Sequence, residues 1–421
     1  MTDSPSTRAP SVSLSVETRN FALIQIDSIF VGVLSAAGTF LPVFFVRLGA
    51  SGTQVGLLTT LPALSAVCFA IPLGRWLQRR RNIVPWYSRL RLLGWASYAA
   101  MALVAALAPP GAALPAMLAV WTLAALPSTA ALVAFPIIMD AAAGPRGRYD
   151  LLGRRWALMG IATALSVAAA GGLLGVPRFP ANFEWLLVGF TLAGVVSFAL
   201  TRRIVIADQL PVAGRGAVRS LPGPQALGRE ARSHAGFLAY EARAFVYSAA
   251  VGLVTPLLPL YYVHELHASN AWVGLIGGGQ AIGTVAGYVL ARRVAHRHGG
   301  AAVLLPSLLA AALVPGLLAV LDVVPAVAVA STLGGIAAAG VNLALFDELM
   351  QRVPRSAGVT FSSVDQTVQN LAYVVGPLSG GLLAGAVGIR PGLLLAALVT
   401  GMSAAMFGLH WRSVRGAPQP A

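Results

Sequence analysis

The chain has 421 residues, of which 57% are hydrophobic and only 10% charged, whereas an ordinary soluble domain carries about 25% charge. Too few charges remain to cover a water-facing surface, so most of the chain must face lipid and a soluble globular fold is excluded. All 29 basic residues are Arg; without a Lys there is no P-loop to reach nucleotide phosphates and no lysine Schiff base, which excludes an ATP-driven motor of that type.

In chain order, the first 19 residues are polar, with Asp3 and Glu17, and the apolar run after them is too long for a cleavable signal. They form an N-terminal tail. A bilayer-spanning helix needs about 20 mostly apolar residues. Such runs recur twelve times, near 20–46, 53–74, 90–108, 112–139, 156–176 and 183–201, then 238–263, 271–291, 301–320, 325–350, 358–386 and 391–411. The expected organisation is a six-helix bundle over 20–203, a linker over 204–237, a second six-helix bundle over 238–411 and a tail over 412–421. The linker is rich in Gly, Pro and Arg, as a flexible connection should be. Cys68 lies within an apolar run and is the single cysteine, so no internal disulfide is available.

The Arg positions test this topology, because cytoplasmic loops collect basic residues. With twelve spans and the N-terminus inside, 26 Arg fall on the inner side and only Arg47, Arg178 and Arg390 on the outer side. Both termini are therefore expected in the cytoplasm, with the chain in the cytoplasmic membrane. The net charge of +15 follows from this asymmetry and needs no nucleic-acid partner.

The halves also resemble each other. Leu41-Pro42-Val43-Phe44-Phe45-Val46 matches Leu258-Pro259-Leu260-Tyr261-Tyr262-Val263, and after a slip of one residue Ala50-Ser51 matches Ala268-Ser269. Asp140 pairs with Asp347, Pro145-Arg146 with Pro354-Arg355, and Gly171-Gly172 with Gly380-Gly381. Six spans repeated in parallel place a substrate site between two halves that rock against each other.

With these features the chain resembles the major facilitator superfamily of transporters over nearly all of its length. The family's signature loop between spans two and three is represented by Gly74-Arg75-Trp76-Leu77-Gln78-Arg79-Arg80-Arg81. It keeps the first Gly and the basic cluster, while Gln78 stands where the family has Asp and the second Gly is missing. The resemblance therefore marks Gly74, Gln78, Arg79, Arg80 and Arg81 as gate candidates without the family's acidic charge. The loop Gly144-Pro145-Arg146-Gly147-Arg148-Tyr149-Asp150 is also family-like. Gly376-Pro377-Leu378-Ser379-Gly380-Gly381 resembles a pattern that antiporter members carry in span five; here it lies in span eleven. Gly376, Pro377, Gly380 and Gly381 are read first as a kink and close-packing element.

An ionisable group inside a span is a functional candidate by default. Asp27, with Gln25 nearby, lies in span one; Asp365 lies in span eleven, where Ser362, Gln366, Gln369 and Tyr373 recur at helical spacing as one polar stripe. Tyr247, Gln280 and Asn342 complete the candidates for substrate contact or proton coupling. Two readings stand for the carboxylates: coupling groups, or members of structural ion pairs, with Arg243 the available partner for Asp27. Asp140, Asp150 and Asp347 stand at inner helix ends beside Arg146, Arg154 and Arg355, where ion pairs would hold an outward-facing state. As solvated helix-end charges each pair would contribute under about 1 kcal/mol.

His264-Glu265-Leu266-His267 lacks the spacing of a zincin helix, so no metal ligand set is expected. No nucleophile–base pair is evident in any span, no cofactor is implied, and the chain is not expected to be an enzyme. The sequence reads as an all-α, twelve-helix secondary transporter that works by alternating access. It is expected to act as a monomer in membrane lipid, moving a small-molecule substrate with proton coupling. Cavity candidates that are mostly amides, hydroxyls and aromatics favour a neutral or cationic solute, exported or, alternatively, imported as a sugar or other metabolite. A transport-inactive sensor is the reading from another class.

Overall fold

The computed structural model describes residues 14–109, 111–175, 178–206, 234–352 and 358–415. Long apolar runs, with no water to satisfy exposed peptide groups, leave the α-helix as the element that closes its own hydrogen bonds. The described residues accordingly form helices α1 (Leu14–Ser35), α2 (Ala37–Arg47), α3 (Gly52–Gln78), α4 (Val84–Leu107), α5 (Ala113–Leu173) and α6 (Ala181–Thr201). The second half contributes α7 (Ala235–Leu260), extended by one π turn over Tyr261–Glu265, then α8 (Asn270–His298), α9 (Ala301–Val320), α10 (Val324–Arg352), α11 (Gly358–Ala386) and α12 (Ile389–Arg415).

Span one is thus α1 and α2, broken at Ala36, and it begins before the expected residue 20. Spans four and five lie in one helical run: the expected break around 140–155 is helical backbone, and the apolar segments Ala113–Ala142 and Leu151–Leu173 are the two spans within it. Eleven segments are both long and apolar enough to cross a membrane. The exception is α11. Its 29 residues give about 43 Å at 1.5 Å per residue, enough to span, but the polar stripe from Asp365 to Tyr373 lowers its hydropathy.

The helices form two groups. In the first, α5 packs on α1, α3 and α4, and α6 packs on α1 and α4; in the second, α7 packs on α11 and α12, and α10 on α8 and α9. The N-cap hydroxyls explain one part of the internal repeat. The Ser51 side chain accepts from the Gln54 backbone N–H at 3.3 Å while Gln54 reaches back to the Ser51 N–H at 2.9 Å, a capping box that starts α3. Ser269 caps α8 in the same way, accepting from the Trp272 N–H at 3.4 Å.

The one-residue slip in the repeat has a physical site. Span one closes with the Ala50 N–H on the Phe45 carbonyl at 2.9 Å, across Gly49 at φ 90°. The corresponding bond in span seven runs from the Ala268 N–H to the Tyr262 carbonyl at 2.8 Å, across His267 at φ 47°. It encloses one residue more, and the π turn, whose Leu266 N–H bonds to the Tyr261 carbonyl at 3.0 Å, takes up that residue.

The two groups meet where side chains vanish. A Cβ on Gly171 or Gly274 would lie 2.7 Å from the other glycine's Cα, so α5 and α8 touch backbone to backbone. Along α3 and α11, Gly52 faces Gly381 and Gly56 faces the Pro377 carbonyl, with no room for a Cβ on either. On the other side of α11, Gly376 and Gly380 press against the Ala249 and Leu253 carbonyls of α7. The Gly-Pro-x-x-Gly-Gly run therefore lets one helix lie against neighbours from both halves. Hydrogen bonds cross at the same end, from Arg47 to the Ala268 carbonyl at 2.9 Å and from Asn270 to the Leu174 carbonyl at 3.3 Å. A third, from Thr60 to the Val374 carbonyl at 3.4 Å, lies deeper.

Adding bulk at this seam should separate the halves there. In a Cys68→Ser background, Gly56→Val is expected to raise the labelling rate of a thiol placed at Ala384 by a polar maleimide. Equal labelling with and without Gly56→Val would count against a seam that depends on missing side chains.

Candidate functional site

Two polar centres lie inside the helices, one in each half. In the first, Asp27 of α1 is buried at 2% exposure, and Arg91 of α4 grips it with both guanidinium nitrogens, at 3.1 and 3.2 Å. Arg155 of α5 approaches the same carboxylate at 3.5 Å and the Ser28 hydroxyl at 3.4 Å. Ser197 of α6 donates to Asp27 and accepts from Arg91. The guanidinium of Arg91 lies over the Trp95 ring at 4.3 Å and the Tyr87 ring at 5.0 Å, and that of Arg155 over Phe135 at 4.9 Å. Four helices thus converge on one carboxylate. Bidentate geometry of this kind is the strong form of the ion pair, and in a low-dielectric interior both charges depend on it.

This arrangement corrects one expectation: Arg243 is not the partner of Asp27. Arg91 and Arg155, counted with the inner loops by sequence, are buried at 7% and 4% exposure and supply the charge. The signal for Arg91 was its flanks, since Tyr87 and Trp95 lie one turn to either side on the same helix face. Arg155 carried no comparable mark. Gln25 donates to the Leu151 carbonyl at 3.2 Å and belongs to the α1–α5 contact, not to the ion-pair cluster.

The second centre is a cavity of about 270 Å3 walled entirely by α7, α10 and α11. It brings together Tyr247, Asn342, Asp365, Gln369 and Tyr373 from the candidate set, with Tyr240, Ser248 and Phe346 beside them. Asp365, Gln369 and Tyr373 share it because steps of four residues return to one helix face. Gln366, one residue from Asp365, is exposed and outside the cavity, and so is Gln280 of α8. The Gln369 amide oxygen accepts from the Ser248 hydroxyl, and Gln369 hydrogen-bonds to Asp365, so its amide donors are directed at the carboxylate. Behind this wall is Glu241 of α7, at 4% exposure, with neither carboxylate oxygen hydrogen-bonded.

The gate candidates are more dispersed. Gly74 faces Val133, whose methyl would lie 3.5 Å from an added Cβ. Arg80 is held between the Trp76 and Trp86 rings at 4.9 and 4.6 Å, while Arg79 and Arg81 are exposed. Arg154 covers the Phe21 ring at 5.7 Å, and Asp140 is exposed. Asp347 accepts from Gln351 of its own helix at 2.9 Å and lines a second cavity of about 370 Å3 with Arg292 and His296. Glu348 pairs with Arg352, also within α10. The side chains of Gln78, Arg146 and Asp150, and Arg355 altogether, lie outside the described residues.

Two helical halves that meet at a glycine-rich seam, with polar groups buried in each, make a multi-pass membrane protein. Residues 244–421 match the family model of the Major Facilitator Superfamily, and the fold of solved transporters runs through both halves. The nucleoside transporter NupG superposes with a TM-score of 0.72 at 14% identity, over 93% of this chain and 99% of that one. A bacterial homolog of the human lysosomal transporter Spinster, in an inward-facing and unoccupied conformation, gives 0.64 at 16% identity over 97% and 98%. A bacterial metal transporter gives 0.67 at 12% identity over 96% and 100%. No curated protein matches the sequence. The family match covers the second half of the chain, and the solved structures that share the fold over both halves are transporters by name.

Removing the charge of Asp27 leaves Arg91 and Arg155 buried without an anion. Asp27→Asn is expected to destabilise the purified protein by about 3–5 kcal/mol, whereas Asp365→Asn should cost about 1 kcal/mol, the size of one hydrogen bond. Thermal unfolding of both variants in detergent checks the contrast, and equal losses would contradict it.

Proposed function

We propose that the protein is a proton-coupled secondary transporter of a small neutral or cationic organic solute, working by alternating access in the cytoplasmic membrane. The moving bodies are the bundles 20–203 and 238–411, joined by the linker 204–237, with both termini in the cytoplasm. The Arg asymmetry supports this orientation. The seam at Gly52, Gly171, Gly274 and Gly381 then lies on the outer side, which supports reading this conformation as closed to the outside. The observation that carries the proposal is the polar cavity walled by Tyr247, Asn342, Asp365, Gln369 and Tyr373, set in helices that a shift of the halves would move. Asp365 is the carboxylate that faces this space, and proton binding there is the coupling step. Export is the first reading of direction, and import of a sugar or other metabolite the second.

Proteoliposomes with an imposed pH gradient test this reading. Solute flux, scanned over amines, sugars and nucleosides, is expected to follow the gradient in the native protein. In Asp365→Asn the response to the gradient should fall by about tenfold or more, while exchange driven by saturating solute persists. Flux that ignores the gradient would remove proton coupling. No flux for any class would leave a sensor, a reading in keeping with the missing acidic charge at Gln78.

A further inference from the structure

We infer that the cavity between α7, α10 and α11 selects an organic monocation, a small amine carrying one aromatic ring, with Asp365 as its counter-ion. This rests on the reading of that cavity as the transport site and narrows it to one substrate class. Four aromatic residues contribute to the wall, namely Tyr240, Tyr247, Tyr373 and Phe346, and Asp365 is the one charged residue among the lining side chains. Aromatic faces carry negative charge and attract a cation within about 6 Å of a ring centre. The carboxylate and the rings therefore favour the same kind of guest.

The surroundings leave that preference unopposed. Glu241, buried at 4% exposure with both carboxylate oxygens free of hydrogen bonds, lies within Coulombic reach of Asp365. It adds a second acidic group on the far side of the wall. Neither nearby guanidinium lines the cavity: Arg352 bonds to Glu348 and His410, and Arg243 lies over the Phe407 ring at 5.1 Å with its Nε and one terminal nitrogen unpartnered. An anionic guest would meet Asp365 with no cation among the lining residues to receive it. A neutral guest would leave the charge of Asp365 answered by one amide alone, a poor arrangement in a desolvated site. A cation resolves both, and the roughly 270 Å3 available suits an amine of one ring, being small against the usual range of ligand pockets.

The experiment is calorimetric titration of the detergent-purified full chain with three probes. Tyramine supplies an ammonium and a phenol ring. Tyrosol keeps the ring and replaces the ammonium with a hydroxyl, and uridine is a neutral nucleoside. Tyramine is expected to bind the native protein at least about tenfold more tightly than tyrosol or uridine, and to lose that advantage in Asp365→Asn. Tyr373→Leu should weaken tyramine by about tenfold and Tyr373→Phe by less than about threefold, since the phenylalanine keeps the ring face. Equal binding of tyrosol or uridine, unchanged tyramine binding in Asp365→Asn, or no tyramine binding up to about 10 mM, a level at which even a weak site fills, would overturn the inference. Flux separates the two readings. Tyramine that binds without crossing a proteoliposome membrane would defeat the transport reading and leave the cation site. Uridine flux without tyramine binding would do the reverse.

Discussion

A charge inside a low-dielectric interior must meet a partner or a ligand, and the two halves of this membrane protein answer that requirement differently. In the first half, Asp27 receives two nitrogens from Arg91, one from Arg155 and a hydroxyl from Ser197. Each donor comes from a different helix, so the cluster holds α1, α4, α5 and α6 in a single arrangement. Aromatic rings cover the faces of the same two guanidiniums. In the second half, Asp365 has one amide and Glu241 has no hydrogen bond at all. One half is closed upon its own charges, and the other leaves Asp365 facing a cavity and Glu241 unanswered outside its lining.

That contrast suits the proposed movement of the halves as bodies. The closest contacts between them are made by glycines and a proline carbonyl, so few side-chain contacts would break if the seam parted. The bonds that cross it number few: a guanidinium and an amide on backbone carbonyls, with one hydroxyl deeper in. Interactions of this kind are each modest, which keeps a seam reversible while the ion-pair cluster behind it holds its bundle rigid.

Much of this architecture could be read from the chain alone. Apolar run length and the absence of competing structure in lipid gave the helices, and the Arg asymmetry agreed with twelve of them. The stripe from Asp365 through Gln369 to Tyr373 was legible because helical periodicity is local. What stayed hidden depends on how helices pack against one another. Arg91 and Arg155 looked like loop residues because basic residues near a helix end usually are. Only the approach of α1 and α6 shows them to be interior. Gln366 and Gln280 had the right chemistry, but their rotation about the helix axis points them away from the cavity. Glu241 could not be given a role, since an unanswered carboxylate is defined by neighbours that are missing.

The π turn after α7 bears on how the two halves came to have one shape. A single added residue in a regular helix turns everything beyond it by about 100°, which would present the wrong face of the next segment to its neighbours. Here the added residue is held within Tyr261–Glu265, before the cap at Ser269 restarts the helix. The face of α8 that meets α5 through Gly274 is therefore set from Ser269 onward, just as the face of α3 that meets α11 is set from Ser51. A duplicated gene could accept such an insertion at this corner and keep its interdomain geometry, while the same insertion a few residues later would misalign the glycines that allow the halves to touch.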